Sequence, residues 1–309
     1  MRKVLLAGVL VTAAGATAAV GGMIATGSND DALRLIQPAG ANKSAPQAPK
    51  TPSLKVVGLT GDQRLVAFRS DNPGAVSGLG KVSGLKGDQK LVGIDFRVQN
   101  GKLYGVGDQG GIYTVHTGNA YAAKVSQLTV PLQGTNFGVD FNPAANRLRV
   151  ISDTGQNLRH NIDDPAGAPA AGVTATDGTL TNPPVPPAQT GATATGVTGA
   201  AYTNNDLDTN TATTLFDLDT ALDQTSAQSP ANAGNLAPTG KLRVDSGPNT
   251  GFDVYYSAAN GTNTGYAALQ LGSEYRFYRI NLLTGRAIPV GAFPGQRQVV
   301  DVALPLNQG

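Results

Sequence analysis

From residue 54 onward, hydrophobic and polar positions alternate in short runs cut by turn residues. The clearest stretch begins at Gly93-Ile94-Asp95-Phe96, which alternates between two faces. A turn at Gln99-Asn100-Gly101 leads to a second run, Leu103-Tyr104-Gly105-Val106. Asp108-Gln109-Gly110-Gly111 separates that run from a third, Ile112-Tyr113-Thr114-Val115, and Thr117-Gly118-Asn119 precedes a fourth over residues 122–128. Period-two runs of β-branched and aromatic residues, broken by Asn-Gly and Gly-rich dipeptides, are hairpin signals. Four strands in succession predict one blade of a propeller. No long amphipathic helical pattern follows residue 40.

The unit recurs. Val92-Gly93-Ile94-Asp95-Phe96, Phe137-Gly138-Val139-Asp140-Phe141, Gly199-Ala200-Ala201-Tyr202 and Thr250-Gly251-Phe252-Asp253-Val254 restate one another, each at the head of a β-rich segment. Their glycines are spaced by 45 (93 to 138), 61 (138 to 199) and 52 (199 to 251) residues, intervals that suit four-stranded repeats with loops inserted in the second and third copies. A further unit is split between the ends: residues 54–85 supply three strands, and Gln298-Val299-Val300-Asp301-Val302-Ala303-Leu304 supplies a lone first strand. The expectation is an all-β propeller of five four-stranded blades over residues 54–307, its ring closed by strands from both ends. Six blades is the alternative if the long second unit hides another. Closure hides sheet edges that would otherwise template aggregation.

Composition agrees with a turn-dense β protein: 40 Gly and 19 Pro in 309 residues, 14% charged residues, two Met and no Trp. With no cysteine, disulfides, thiolate metal sites and a lipid anchor at Cys are all excluded. Residues 1–25 read as an export segment. Met1-Arg2-Lys3 is a positive head, residues 4–14 an apolar stretch, and Ala16-Thr17-Ala18 a small-x-small cleavage site. The uncharged run over residues 4–25 is also long enough for an uncleaved membrane anchor. Residues 26–53, rich in Pro, Ala, Ser and Lys, read as an extended tether. The expected location is extracytoplasmic, secreted or held by the N-terminal segment.

Charge excludes one class of partner. The 23 basic residues less Arg2 and Lys3 leave 21 against 21 acidic ones, and no Lys/Arg stripe interleaved with aromatics appears, so nucleic acid is not an expected ligand.

The chain from about Val92 to Leu304 resembles a bacterial family known as domain of unknown function 4394. The motifs that carry the resemblance are Gly93-Ile-Asp-Phe, Asn136-Phe-Gly-Val-Asp-Phe-Asn-Pro143, Arg147-Leu-Arg-Val-Ile-Ser-Asp-Thr-Gly-Gln-Asn-Leu-Arg159, Asp177-Gly-Thr-Leu, Gly199-Ala-Ala-Tyr-Thr-Asn and Gly251-Phe-Asp. The resemblance implies a secreted, propeller-like domain and no assigned activity. Residues 167–191 are looser than the family pattern.

Three groups are candidate sites. Asp95, Asp140, Asp253 and Asp301 recur at one position of the first strands, so a closed ring would gather them at its channel, either sharing a cation or capping the backbone of neighbouring blades. Arg147, Arg149, Asp153, Asn157 and Arg159 form the densest polar block, capable of an anion or sugar site built from guanidinium forks and amides, or of a simple tight turn at Asp153-Thr154-Gly155. Asp206, Asp208 and Asn210, with Asp217 eleven residues after Asp206, have the opening spacing of a calcium loop, but Thr211 stands where such a loop has Gly and Asp217 where it has Glu. A solvated acidic loop is the competing reading. Calcium is thus the only cofactor the sequence invites, and weakly.

Catalytic patterns are sparse. The histidines are His116 and His160, Glu274 is the sole glutamate, and no nucleophile elbow, zinc helix or phosphate loop occurs. The reading is an exported recognition or scaffold propeller that binds a glycan, peptide or protein of the cell envelope. The alternatives are a lyase or hydrolase with aspartates at the channel mouth, and a purely structural envelope protein.

Overall fold

The computed structural model describes residues 53–208 and 210–308, so the predicted export segment and nearly all of the tether lie outside the described residues. The strands run in chain order. β1 (Lys55–Thr60), β2 (Arg64–Arg69) and β3 (Asn72–Lys81) come first, followed by β4 (Leu91–Arg97), β5 (Lys102–Gly107), β6 (Gly111–Val115) and β7 (Ala122–Gln127). Next are β8 (Phe137–Asn142), β9 (Arg147–Ser152), β10 (Asn157–His160) and β11 (Thr174–Thr176), then β12 (Val197–Tyr202), β13 (Leu215–Asp219), β14 (Gln224–Gln228) and β15 (Leu236–Lys241). The last are β16 (Gly247–Ser257), β17 (Thr262–Leu271), β18 (Glu274–Ile280), β19 (Ala287–Ala292) and β20 (Val299–Ala303).

They form five antiparallel four-stranded sheets, the blades of a propeller: β20-β1-β2-β3, then β4 to β7, β8 to β11, β12 to β15 and β16 to β19. The split unit closes the ring. β20 supplies the innermost strand of the first blade and pairs with β1 through Val57↔Ala303 and Leu59↔Asp301. Gln308 fastens the closure, its Oε1 accepting from the Lys55 N–H at 2.6 Å and its Nε2 donating to the Lys55 carbonyl at 2.9 Å.

Each blade interface holds one apolar cluster, as expected when every sheet must bury both faces. Phe68 of the first blade meets Phe277 of the fifth edge-on, with ring centroids 5.0 Å apart. Leu59 and Leu65 meet Ile94 and Tyr113 of the second blade, Tyr104 and Val106 meet Phe141 and Leu148 of the third, and Phe216 and Leu218 of the fourth meet Phe252 and Tyr278 of the fifth. The cluster between the third and fourth blades, around Ile151, Leu180, Ala200, Tyr202 and Leu215, shares its space with charged side chains.

The repeated glycines have a steric cause. A Cβ on Gly138 would lie 2.6 Å from the backbone nitrogen of Ala200, and one on Gly251 would lie 2.3 Å from the Cα of Asp301. Both positions let an innermost strand approach the next blade's innermost strand more closely than any side chain permits.

Candidate functional site at the channel and its mouth

The innermost strands carry the repeated aspartates inward: Asp95 on β4, Asp140 on β8, Asp253 on β16 and Asp301 on β20, all buried. Each reaches the main chain of the next blade around the ring. Asp95 Oδ2 accepts from the Phe141 N–H at 2.8 Å, Asp140 Oδ1 from Tyr202 at 3.1 Å, Asp253 Oδ2 from Leu304 at 2.6 Å and Asp301 Oδ2 from Ile94 at 2.7 Å. The fourth blade breaks the series. Ala201 occupies the corresponding place on β12, so the ring of clamps has a gap there.

The two sequence readings of these aspartates are compatible in one geometry. While clamping backbone, Asp95, Asp140 and Asp253 offer oxygens that all lie within 4.8 Å of one another. Two oxygens that far apart can both sit about 2.4 Å from a shared ion, the distance calcium takes to carboxylate ligands. Burial raises all four carboxyls well out of their usual range. The charge of Asp253 adds to the shift at Asp95, and the charges of Asp95 and Asp253 add to it at Asp140. For Asp253 burial outweighs the Leu304 and Val254 N–H bonds and places the carboxyl at about 7. Desolvation and mutual repulsion therefore disfavour three free carboxylates here relative to protonated or charge-compensated ones.

Three residues before Asp95, Asp140 and Asp253 on the same strands stand Val92, Phe137 and Thr250, at one mouth of the channel. That separation is roughly 10 Å along an extended strand. A basin of about 190 Å³ opens there, with lining from all five blades that includes Gln63, Lys90, Asn136, Thr198, Asn249, Tyr275 and Gln298. No carboxylate lines it, and Lys90 is its one cation. Several walls are held in place. Gln63 is clamped both ways to the Leu91 peptide at 2.7 and 3.1 Å, Asn136 donates to Asp153 at 2.9 Å, and Asn249 donates to Gln270 at 3.2 Å.

The Arg147–His160 block is organised differently from a ligand site. Arg147 is engaged by Asp164 at 3.1 Å and by the carbonyls of Ala145, Asn146 and Ala168. Arg149, 2% exposed, donates to Asn157 and Asp177 at 2.7 Å, Asn232 at 2.8 Å and Tyr202 at 3.2 Å. Arg159 shares Asp177 at 3.1 Å. All three forks thus have protein partners. Asp153 does not bind its own turn; it accepts from the backbone of Thr135 and Asn136, on the loop that shapes the mouth. Burial opposes its ionisation, but these bonds and those from the two side chains prevail and hold its carboxyl below the usual range.

The acidic loop is likewise separated. Asp206 and Asp208 accept from loop N–H groups two residues on, in Asx turns, whereas Asp217 lies on β13 with its carboxylate fully buried. His116 is exposed at the end of β6, while His160 is buried between Ser126 and Thr174, each hydroxyl 2.9 Å from a ring nitrogen. No carboxylate backs this imidazole, and burial lowers its pKa to about 4, so it is a weak base pinning the second blade to the third.

A family model described as Domain of unknown function (DUF4394) matches residues 64–303. A search of curated proteins finds no match. Among solved structures, a protein from Lactobacillus plantarum is similar at 17% identity and TM-score 0.36, with 78% of this chain and 67% of that chain covered. A protein of unknown function from Bacteroides thetaiotaomicron is similar at 11% identity and TM-score 0.45, with coverage of 83% and 68%. The Dos1 propeller is similar at 12% identity and TM-score 0.37; the match covers 77% of this chain and 60% of that one.

Proposed function

We infer, for a chain that belongs to the family described as Domain of unknown function (DUF4394), that its work is recognition. On this reading it is an exported propeller that takes a polar ligand of the cell envelope, a glycan or a peptide, into the basin at the channel mouth. The observation that carries the reading is the basin itself: five blades contribute amides, hydroxyls and one lysine to a single small concavity. The lining holds no carboxylate or histidine, and its titratable side chains are Lys90 and Tyr275 alone, which favours binding over hydrolysis or elimination by paired carboxylates. Beneath it, Asp95, Asp140 and Asp253 would hold a calcium ion as a pin across three blades. Export rests on the positive head, apolar stretch and small-x-small site of residues 1–25; among the described residues no helix is long and apolar enough to cross a membrane.

The test is thermal denaturation of the chain against a panel of cell-envelope glycans and peptides, with calcium or chelator, because a ligand selective for the folded state raises the melting temperature. A ligand-dependent rise that Asn249→Ala or Gln298→Ala abolishes supports the basin. A flat response to the whole panel overturns ligand recognition and leaves scaffolding. Calcium should raise the wild-type melting temperature and leave Asp140→Asn unmoved; equal curves in calcium and chelator would remove the pin.

A further inference from the structure

Between the third and fourth blades lies a buried polar cluster that the channel chemistry does not use. On β13 and β14, Asp217 lies directly opposite Ser226, and Gln228 opposite Leu215, so Asp217, Ser226 and Gln228 share one face of the hairpin. That face belongs to the interface with the third blade, since Leu215 joins Ile151 there. Asp217 is 0%, Ser226 1% and Gln228 2% exposed. Yet both oxygens of Asp217, the hydroxyl of Ser226, Oε1 of Gln228 and Oδ2 of the neighbouring Asp219 are buried without a hydrogen-bond partner. Small Ala200, the register partner of Asp217 on β12, leaves room beside the carboxylate.

The orientation of these groups is set by their other atoms. Gln228 Nε2 donates to the Ala231 carbonyl at 2.5 Å, which turns Oε1 toward the hairpin face. Asp219 Oδ1 accepts from the N–H groups of Ala221 and Leu222 at 3.0 and 2.9 Å, leaving Oδ2 over. The unpartnered atoms on this face are therefore acceptors, with the Ser226 hydroxyl as the only donor among them. A water molecule brings two donors, fewer than these oxygens can take, whereas one cation satisfies several oxygens together.

Charge selects the kind of cation. Arg149 and Arg159 share Asp177, and Asp217 acts on Arg149 through space, with Asp219 beside it. Burial raises the carboxyls of Asp217 and Asp219, with Arg149 opposing the shift at Asp217; with both ionised, two guanidiniums against three carboxylates leave one negative charge, and the further pair acting on Asp219, Lys241 and Asp223, cancels itself. We propose that the third and fourth blades enclose a site for a hard monovalent cation, sodium or potassium, with Asp217, Ser226 and Gln228 as its oxygen ligands. A divalent ion would overshoot the charge beside two guanidiniums, which separates this site from the three-carboxylate cluster in the channel.

The test uses the whole chain. Crystals equilibrated in rubidium chloride should show an anomalous peak among Asp217, Ser226 and Gln228; density there for water only overturns the site. In solution, at fixed ionic strength, replacing potassium and sodium by tetramethylammonium should lower the wild-type melting temperature by about 3 °C. The shift should vanish in Asp217→Asn but persist in Asp140→Asn. Should Asp217→Asn fail to fold, Ser226→Ala provides the second reading: it removes one ligand and should raise the half-saturating potassium concentration several-fold. Identical melting in all three salts, or an unchanged half-saturation in Ser226→Ala, overturns the proposal.

Discussion

His160 is the residue whose protonation the fold most plainly forbids. Its two ring nitrogens are held by Ser126 and Thr174, and burial lowers its pKa from 6.5 to about 4. The unfolded chain therefore binds this proton first as pH falls. Stability tied to the neutral ring is complete above about pH 6.5 and is lost toward pH 4, by about 3 kcal/mol in all. His160→Gln should flatten this acid limb in denaturant titrations; an unchanged limb would place the acid sensitivity elsewhere. Residue identities were legible unevenly. Three of the four channel aspartates stand out in the sequence because they recur two residues after a glycine, Val299 taking that place before Asp301, and capping of a neighbouring blade is among their expected roles. Arg149 was visible as a candidate, but its partners Asp177, Tyr202 and Asn232 come from three separate segments that no local pattern brings together. Asp217 misleads in the opposite way. Its acidic neighbourhood suggests a solvated loop, although the alternation Leu215-Phe216-Asp217-Leu218-Asp219 is that of a strand.

At the scale of the element, the innermost strands are the part of the fold most narrowly specified. Gly251→Ala would force a methyl against the backbone of β20, and neither strand can retreat without opening the ring. We expect a loss of about 1–3 kcal/mol, the usual cost of overpacking. Gly78→Ala on the outer strand β3, where a methyl meets nothing within 4 Å, should stay within about 0.5 kcal/mol of wild type. Chemical denaturation of the two variants decides the matter, and equal stabilities would contradict the close approach. The strands were readable from period-two runs and Asn-Gly turns, including the lone strand at residues 299–303 that completes the first blade. The third blade was harder to read, because β11 has only three residues and follows a long Pro- and Ala-rich loop.

For the whole molecule, the channel aspartates and His160 pull in opposite directions with pH. Asp253 has its ordinary value of 3.8 unfolded and about 7 folded, so the stability it lends is complete below about pH 4 and is lost progressively as pH rises to about 7. In chelator the wild type should lose melting temperature relative to Asp253→Asn between about pH 4 and about pH 7. Parallel profiles of the two proteins in chelator would mean the cluster is ionised and compensated by groups other than a proton. Ring closure has a further consequence, for the order in which the protein is made. The first blade lacks its innermost strand until residues 299–303 have been synthesised, so β1 to β3 wait for the four other blades before their own sheet is complete. The ring as a whole can lock only once β20 has come back to β1.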